Sequence, residues 1–247
     1  MLFAEDAVRS SAAQELMRWK SDEVYQALFD AAQDRITGGL IRALGGFGRV
    51  QSVPVFFAAL DDDLCRGDAM DVLRTMPGPA QGYAILSLRD EAGPSVYFAS
   101  ARRRRRATLQ LLREFGVGGE EWPELRPFLD DHDQDSVISV AAIGFAIAPE
   151  SEYSALIDAL FRIASHLNWA QEGEVMQLLD QHSELARKRA RELVDKAAEC
   201  GDRPDWLVPR WRILRHLLGN IRTHCAQCGT QELTRKSHRP TKRGKRS

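Results

Sequence analysis

A nine-residue pattern of hydrophobic and polar positions recurs along the chain. Most copies begin with an aliphatic residue and end in Leu or Phe, with small residues near the middle. Their apolar positions fall at about i, i+4, i+5 and i+8, which is one face of an α-helix. Copies can be traced, the last three more loosely, at residues 8–16, 36–44, 65–73, 101–109, 137–145 and 185–193. The pattern therefore predicts a series of similar packing helices.

Amphipathic segments of a second kind lie between or after these copies and predict further helices. They span residues 24–28, 53–60, 122–129, 153–161 and 206–218. Turn signals rich in Gly and Pro punctuate the pattern at residues 45–48, 77–79, 116–119 and 201–204. Successive copies of the nine-residue pattern start 28, 29, 36, 36 and 48 residues apart. Repetition at such intervals is typical of stacked helix pairs.

The pattern predicts the fold class and the domain organisation. We expect an all-α fold in which about six antiparallel helix pairs form a right-handed solenoid across residues 1–221. The remaining residues, 222–247, contain a Cys-x-x-Cys motif and a basic tail. Apart from Pro240 the tail has no apolar residue to bury. We therefore expect it to be disordered on its own, because nothing offsets the entropy lost on ordering.

One stretch resembles a known repeat family. Residues 40–48 read Leu-Ile-Arg-Ala-Leu-Gly-Gly-Phe-Gly, and the apolar segment 53–60 and three aspartates at 61–63 follow them. This arrangement resembles the short bacterial HEAT repeat, also called the phycobilisome-lyase-like repeat. The starts at Val8-Arg9 and Leu185-Ala186-Arg187 resemble its aliphatic-arginine signature. The resemblance covers roughly residues 1–200 and implies a HEAT-type solenoid, a fold that specifies no activity by itself.

The formal charge of −1 conceals two regions of opposite sign. Residues 235–247 hold seven basic residues and no acid, which leaves a charge of −8 on the rest of the chain. A polyanion that bound this tail would release counterions, so the tail predicts sequence-independent binding of nucleic acid. The alternative is that the tail only solubilises the protein or folds back onto its acidic body. The candidate residues are Arg235, Lys236, Arg239, Lys242, Arg243, Lys245 and Arg246.

A run of five arginines is the second candidate for anion binding. It consists of Arg102, Arg103, Arg104, Arg105 and Arg106, and we call it the arginine run. Consecutive helical positions are about 100° apart, so these side chains cannot all face one ligand. One interpretation is a solvated stretch that is bridged to acidic neighbours, as charge runs commonly are. The other is a patch that contacts phosphate through bidentate guanidinium groups.

A Cys-x-x-Cys motif near the C-terminus is a candidate zinc site. Its thiols, Cys225 and Cys228, stand at the spacing of a chelating pair, and His224 and His238 could complete a set of four ligands. A second Cys pair is missing, and adjacent His224 and Cys225 seldom bind one ion together. The alternative is a thiol pair without metal, so we expect no cofactor unless this site binds zinc.

The termini and the cysteines bear on localisation. Acidic residues Glu5 and Asp6 stand where a signal peptide needs cations, and the longest nearly apolar run, 137–148, is too short to span a bilayer. Four cysteines are too few for a disulfide framework in a chain of this length. We expect a cytoplasmic protein with free thiols and no membrane association.

No recognisable catalytic set emerges from the sequence. Asp205, Trp206, Arg210 and Trp211 invite comparison with HEAT-like alkylpurine DNA glycosylases, although the tryptophans are more simply anchors of a last helix. We expect a non-enzymatic scaffold that binds a protein, not identified by the sequence, through a concave surface. The alternative is a nucleic-acid-binding protein that uses the arginine run and the tail. A bilin lyase-like or glycosylase-like enzyme is suggested by fold analogy alone.

Overall fold

The described part of the chain is almost entirely helical. The computed structural model describes residues 2–91, 99–199, 207–219, 222–225 and 229–232. Its α-helices within these ranges are α1 (Leu2–Leu16), α2 (Asp22–Asp34), α3 (Gly38–Phe47), α4 (Val53–Ala59), α5 (Arg66–Arg74), α6 (Pro77–Glu91), α7 (Ala99–Phe115), α8 (Trp122–Leu125), α9 (Gln134–Ile147), α10 (Tyr153–Ile163), α11 (Trp169–Gln181), α12 (Ser183–Glu199) and α13 (Leu207–Leu218). The all-α prediction is confirmed for residues 2–219 as far as they are described.

A short hairpin follows the last helix, and the sequence pattern did not predict it. Strand β1 (Arg222–Cys225) pairs antiparallel with β2 (Gly229–Glu232), and Cys225 lies opposite Gly229. The predicted boundary at 221 therefore falls where helical structure gives way to this hairpin. The basic tail, 235–247, lies outside the described residues.

Most residues of the predicted packing segments lie in helices. Copies of the nine-residue pattern fall in α1, α3, α5, α7, α9 and α12. Segments of the second kind fall in α2, α4, α10 and α13, whereas residues 122–129 are divided between α8 and the 3-10 segment Arg126–Asp130. The apolar pattern thus placed most helices correctly, because each helix must bury one face against its neighbours.

Two features of the helices differ from the sequence expectations. Residues 77–79 were predicted as a turn, but α6 begins at Pro77 and runs on to Glu91. Proline is favoured in the first helical turn because its missing N–H has no intrahelical partner there. In addition, α11 lies between α10 and α12 where no helix was predicted. This additional helix accounts for the interval of 48 residues between the last two copies.

Polar residues begin several helices and a glycine ends one of them. The hydroxyl of Thr37 accepts a hydrogen bond from Leu40 N at the start of α3, and Asp133 accepts one from Ser136 N at the start of α9. Gly48 ends α3 with φ of 64°, a left-handed conformation that glycine adopts without steric cost. The Thr37 and Asp133 side chains thereby satisfy backbone N–H groups that a helix N-terminus leaves unpaired.

The chain forms two compact units, Met1–Ile163 and Ala164–Ser247. In the first unit, α1, α3, α5, α7 and α9 contact one another in succession, and α4, α6 and α8 form a second succession. The two rows pack together, with α2 on α3, α4 on α5, α6 on α7 and both α8 and α10 on α9. In the second unit, α12 contacts α11, α13 and β1. The division between the units falls inside the range 1–221 that we expected to form one repeat domain.

The last positions of the central copies lie in the core of the first unit. Leu44, Leu73 and Leu109 occupy this position in α3, α5 and α7, and each is completely buried. Close approach of helices also needs glycine, because a side chain at Gly39 would overlap the Ser10 backbone of α1. No helix in the described ranges combines the length and the apolarity needed to cross a membrane.

Candidate binding surfaces

The arginine run lies in the first half of α7 and faces two acidic loops. The first acidic loop is residues 61–63, before α5, and the second is residues 130–135, before and at the start of α9. Because α7 packs between α5 and α9, its N-terminal half has aspartates on both sides. The sequence placed acids ahead of these helices, where the helix dipole favours them. It did not show that the same acids meet the arginine run.

Two arginines reach the second acidic loop. Arg105 is almost completely buried, forms an ion pair with Asp131, and lies over the Phe128 ring with its guanidinium carbon 5.4 Å from the ring centroid. Arg106 Nε donates to both carboxylate oxygens of Asp133 at 2.8 Å, and its Nη1 lies 3.1 Å from Asp135. These contacts fix α7 to the start of α9.

Two other arginines reach the first acidic loop. Arg104 Nη1 donates to the Asp61 carboxylate at 3.0 Å, and Arg103 Nε donates to the Asp61 carbonyl oxygen at 3.1 Å. Arg102 is exposed. Four of the five arginines are therefore engaged by groups of the protein itself, and a phosphate that approached them would compete with aspartates. The anion-binding interpretation of the run stays a prediction.

Asp133 is the most constrained carboxylate of this network. Its burial would by itself raise the pKa, but hydrogen bonds from Arg106 and Ser136 outweigh burial and hold the pKa of Asp133 below its ordinary value. The hydrogen bond to Asp133 is also the main reason why the pKa of Arg106 is raised. Both shifts favour the charged forms, so this pair persists over the physiological pH range.

An apolar groove lies between the start of α4 and α6. We call it the α4–α6 groove, and its volume is about 380 Å³. The residues that line it are Val50, Gln51, Val53, Pro54, Pro79, Tyr83 and Leu86. Val50 and Leu86 expose 57% and 55% of their surface at the groove, a high value for large hydrophobic residues. The Tyr83 ring packs against the Phe57 ring, and the two ring centroids are 5.0 Å apart. The sequence pattern did not indicate this groove, because its lining residues come from two segments that are distant in the chain.

The remaining candidate residues fall largely outside the described structure. The backbone of His224 and Cys225 belongs to β1, whereas Cys228 and His238 lie outside the described residues. The same holds for Asp205 and Trp206, and for the basic residues of the tail. Among the residues that the structure describes, no group of three or more His, Cys, Asp or Glu side chains could hold a metal ion. The zinc site stays a prediction.

Two polar contacts in the second unit were not predicted. Arg212 of α13 donates to Glu172 of α11 at 2.8 Å, and His216 Nε2 lies 2.9 Å from both carboxylate oxygens of Asp180. These residues are 40 and 36 positions apart in the chain, so no local pattern could have revealed the pairs. Both pairs link α13 to α11.

Comparison with known proteins adds no assignment to these surfaces. No protein family, no curated protein and no solved structure matches the chain.

Proposed function

We propose that the chain is a non-enzymatic scaffold, a right-handed HEAT-like solenoid that binds another protein. Two features support the solenoid. Copies of one sequence pattern fall in helices that contact one another in succession, and a second row of helices packs against them. Stacked units of this kind present extended surfaces for binding and need no catalytic residues.

The α4–α6 groove is the observation that carries the binding proposal. Its lining residues are apolar apart from Gln51 and Tyr83, so what it offers a partner is mainly apolar burial. Its volume of about 380 Å³ lies within the range of pockets that bury a ligand group. Val50 and Leu86 are exposed on it and would gain by being covered. The occupant that fits is an apolar segment of a partner protein.

Nucleic-acid binding through the basic tail is the second candidate function. The seven basic residues at 235–247 favour it, because a polyanion recognises charge density without needing a shaped pocket. The arginine run contributes less to this candidate, since four of its members contact the acidic loops. In this proposal the tail binds nucleic acid by itself, and the groove binds protein.

Affinity purification from the source cells with matched variants tests the proposal. Leu86→Glu places a charge in the groove, and Leu64→Glu places the same charge at another exposed apolar residue outside it. We expect a nuclease-resistant partner that the wild type and Leu64→Glu retain and Leu86→Glu loses. Capture that is equal for all three, or that nuclease removes completely, contradicts the proposal.

A further inference from the structure

The face formed by α4 and the first three turns of α6 is built from uncharged residues. Residues 50–60 and 75–88 include no Asp, Glu, Lys or Arg, although 28% of the chain is charged. The exposed residues among them include Val50, Pro54, Ala58, Pro79, Gly82 and Leu86. Depletion of charge is typical of the buried core of a protein interface, whereas ordinary surface carries charges. The α4–α6 groove therefore belongs to a wider uncharged face.

Helix α6 carries an exposed glycine on this face that its own fold does not require. Gly82 lies three residues after Pro79 and four before Leu86, so the three residues share one side of the helix. Its φ is not positive, and a Cβ built on it would meet no atom within 4 Å. Alanine would fit at this position and would favour the helix. The folded chain by itself gives no reason for glycine here.

Other helical glycines of the same unit mark close contacts between helices. A Cβ at Gly39 of α3 would overlap Ser10 of α1, and a Cβ at Gly45 would overlap Val72 of α5. The space above Gly82 is open instead. A helix from another molecule that filled this space would contact α6 as closely as α1 and α5 contact α3.

The chemistry of the face favours a helix over an extended segment. Only Gln51 and Tyr83 of the groove's lining residues have side chains that form hydrogen bonds, and the backbone groups of α4 and α6 bond within their helices except at the ends. An extended segment would bury backbone N–H and C=O groups without partners, whereas a helix satisfies them internally. Charge complementarity adds a second condition. A charged side chain that faced this surface would lose its hydration and gain no partner, so the occupant presents an uncharged face.

We propose, on the basis of the function proposed above, that the occupant of the α4–α6 groove is an amphipathic α-helix of the partner protein. Its docking face is uncharged, and its apolar side chains, spaced about one turn apart, cover Val50 and Leu86. A small residue of this helix lies opposite Gly82 and allows the two helix axes to approach closely. Its polar face stays in solvent.

A displayed library of random peptides of about 20 residues, or five helical turns, supplies a probe when it is selected on the full chain. We expect binders with uncharged apolar residues at i, i+4 and i+7 that bind Leu86→Glu about tenfold more weakly than the wild type. A central proline in these peptides should abolish binding, because proline breaks a helix. Binders that depend on Leu86 but tolerate the proline would overturn the helix and leave the proposed function standing. A selection without any binder that depends on Leu86 would contradict both.

A matched pair of glycine variants tests the close approach. Gly82→Leu should weaken binding of the selected peptide about tenfold or more, whereas Gly173→Leu, at a glycine of α11 that also has open space above it, should leave binding unchanged. Gly82→Ala and Gly173→Ala should both raise the melting temperature, since alanine favours a helix and meets no neighbour at either position. Equal binding by Gly82→Leu and the wild type overturns the close approach. Sedimentation equilibrium that shows wild-type dimers, lost in Gly82→Leu, would assign the face to a second copy of the chain and overturn the proposal.

Discussion

The substitution of Asp133 tests whether the arginine network holds the helices of the first unit together. The Asp133 side chain is only 1% exposed and performs two tasks, because it begins α9 by accepting from Ser136 and it also accepts from Arg106. Asp135 contacts the same arginine but is 43% exposed. The two aspartates therefore make a matched comparison of a buried and an exposed partner of one guanidinium.

The expected magnitudes follow from these two tasks. Loss of an N-cap costs about 1 kcal/mol, and loss of a hydrogen bond to a charged group costs about 1.5–3 kcal/mol. We expect Asp133→Ala to lower the free energy of unfolding by about 3 kcal/mol. Asp133→Asn should cost about 1–2 kcal/mol, because Asn caps a helix as well as Asp does but lacks the charge. Asp135→Ala should cost less than about 1 kcal/mol, as exposed ion pairs do.

Thermal and urea unfolding at pH 7 provide the assay. A loss of about 3 kcal/mol corresponds to a fall in melting temperature of roughly 6–12 °C for a domain of this size. The double variant Asp133→Ala, Arg106→Ala should cost less than the sum of the two single variants, because the two residues interact. Equal effects of Asp133→Ala and Asp135→Ala would refute the reasoning, since burial would then make no difference.

The pH dependence of the same variants has a definite sign. The pKa of Asp133 is lowered in the folded protein, so its contribution to stability is complete above the pKa of about 3.9 in the unfolded chain. It is lost as the pH falls through the lower pKa of the folded state. The stability difference between wild type and Asp133→Asn should stay constant from about pH 7 to 5 and shrink below about pH 4. A difference that grows as the pH falls would contradict this assignment.

Three further predictions concern the core, the thiols and the tail. Leu44→Asp and Leu73→Asp should each destabilise the first unit by several kcal/mol, because both positions are completely buried. If both variants melted at the wild-type temperature, the repeat register would be wrong. Metal analysis of protein purified without chelator should show at most substoichiometric zinc, and one tight ion per chain that is lost in Cys225→Ser, Cys228→Ser would reverse this prediction. If the tail contacts about five phosphates, log affinity for duplex DNA should fall with log salt at a slope of about −4 to −5. Deletion of residues 235–247 should abolish that dependence, and an unchanged slope would show that the tail does not bind DNA.

The helices could be predicted from the sequence because helix burial leaves a local mark. Leu44, Leu73 and Leu109 recur at the same position of successive copies and are all completely buried. The start of α6 was predicted wrongly, since Pro77 serves equally well in a turn and in the first turn of a helix. Helix α11 was also missed, although Val175, Leu178 and Leu179 are buried in it.

The surfaces could not be predicted in the same way, because they depend on contacts that are distant in the chain. Arg104 meets Asp61 across 43 positions, and Arg105 meets Asp131 across 26. The sequence indicated that charge runs are commonly bridged to acids, but it could not identify these partners. The α4–α6 groove likewise brings Val50 and Leu86 together from different helix pairs. Neither residue is distinguished by its own sequence neighbourhood.

The most direct test of the scaffold proposal is the dissociation constant of the purified partner, measured by titration calorimetry at low and high salt. The α4–α6 groove is apolar, so we expect affinity that changes little with salt. Leu86→Glu should weaken binding about tenfold or more, as loss of a central apolar contact does, while deletion of residues 235–247 leaves it unchanged. Wild-type affinity of Leu86→Glu, together with strong salt dependence that disappears with the tail, would contradict the proposal and assign binding to the basic tail.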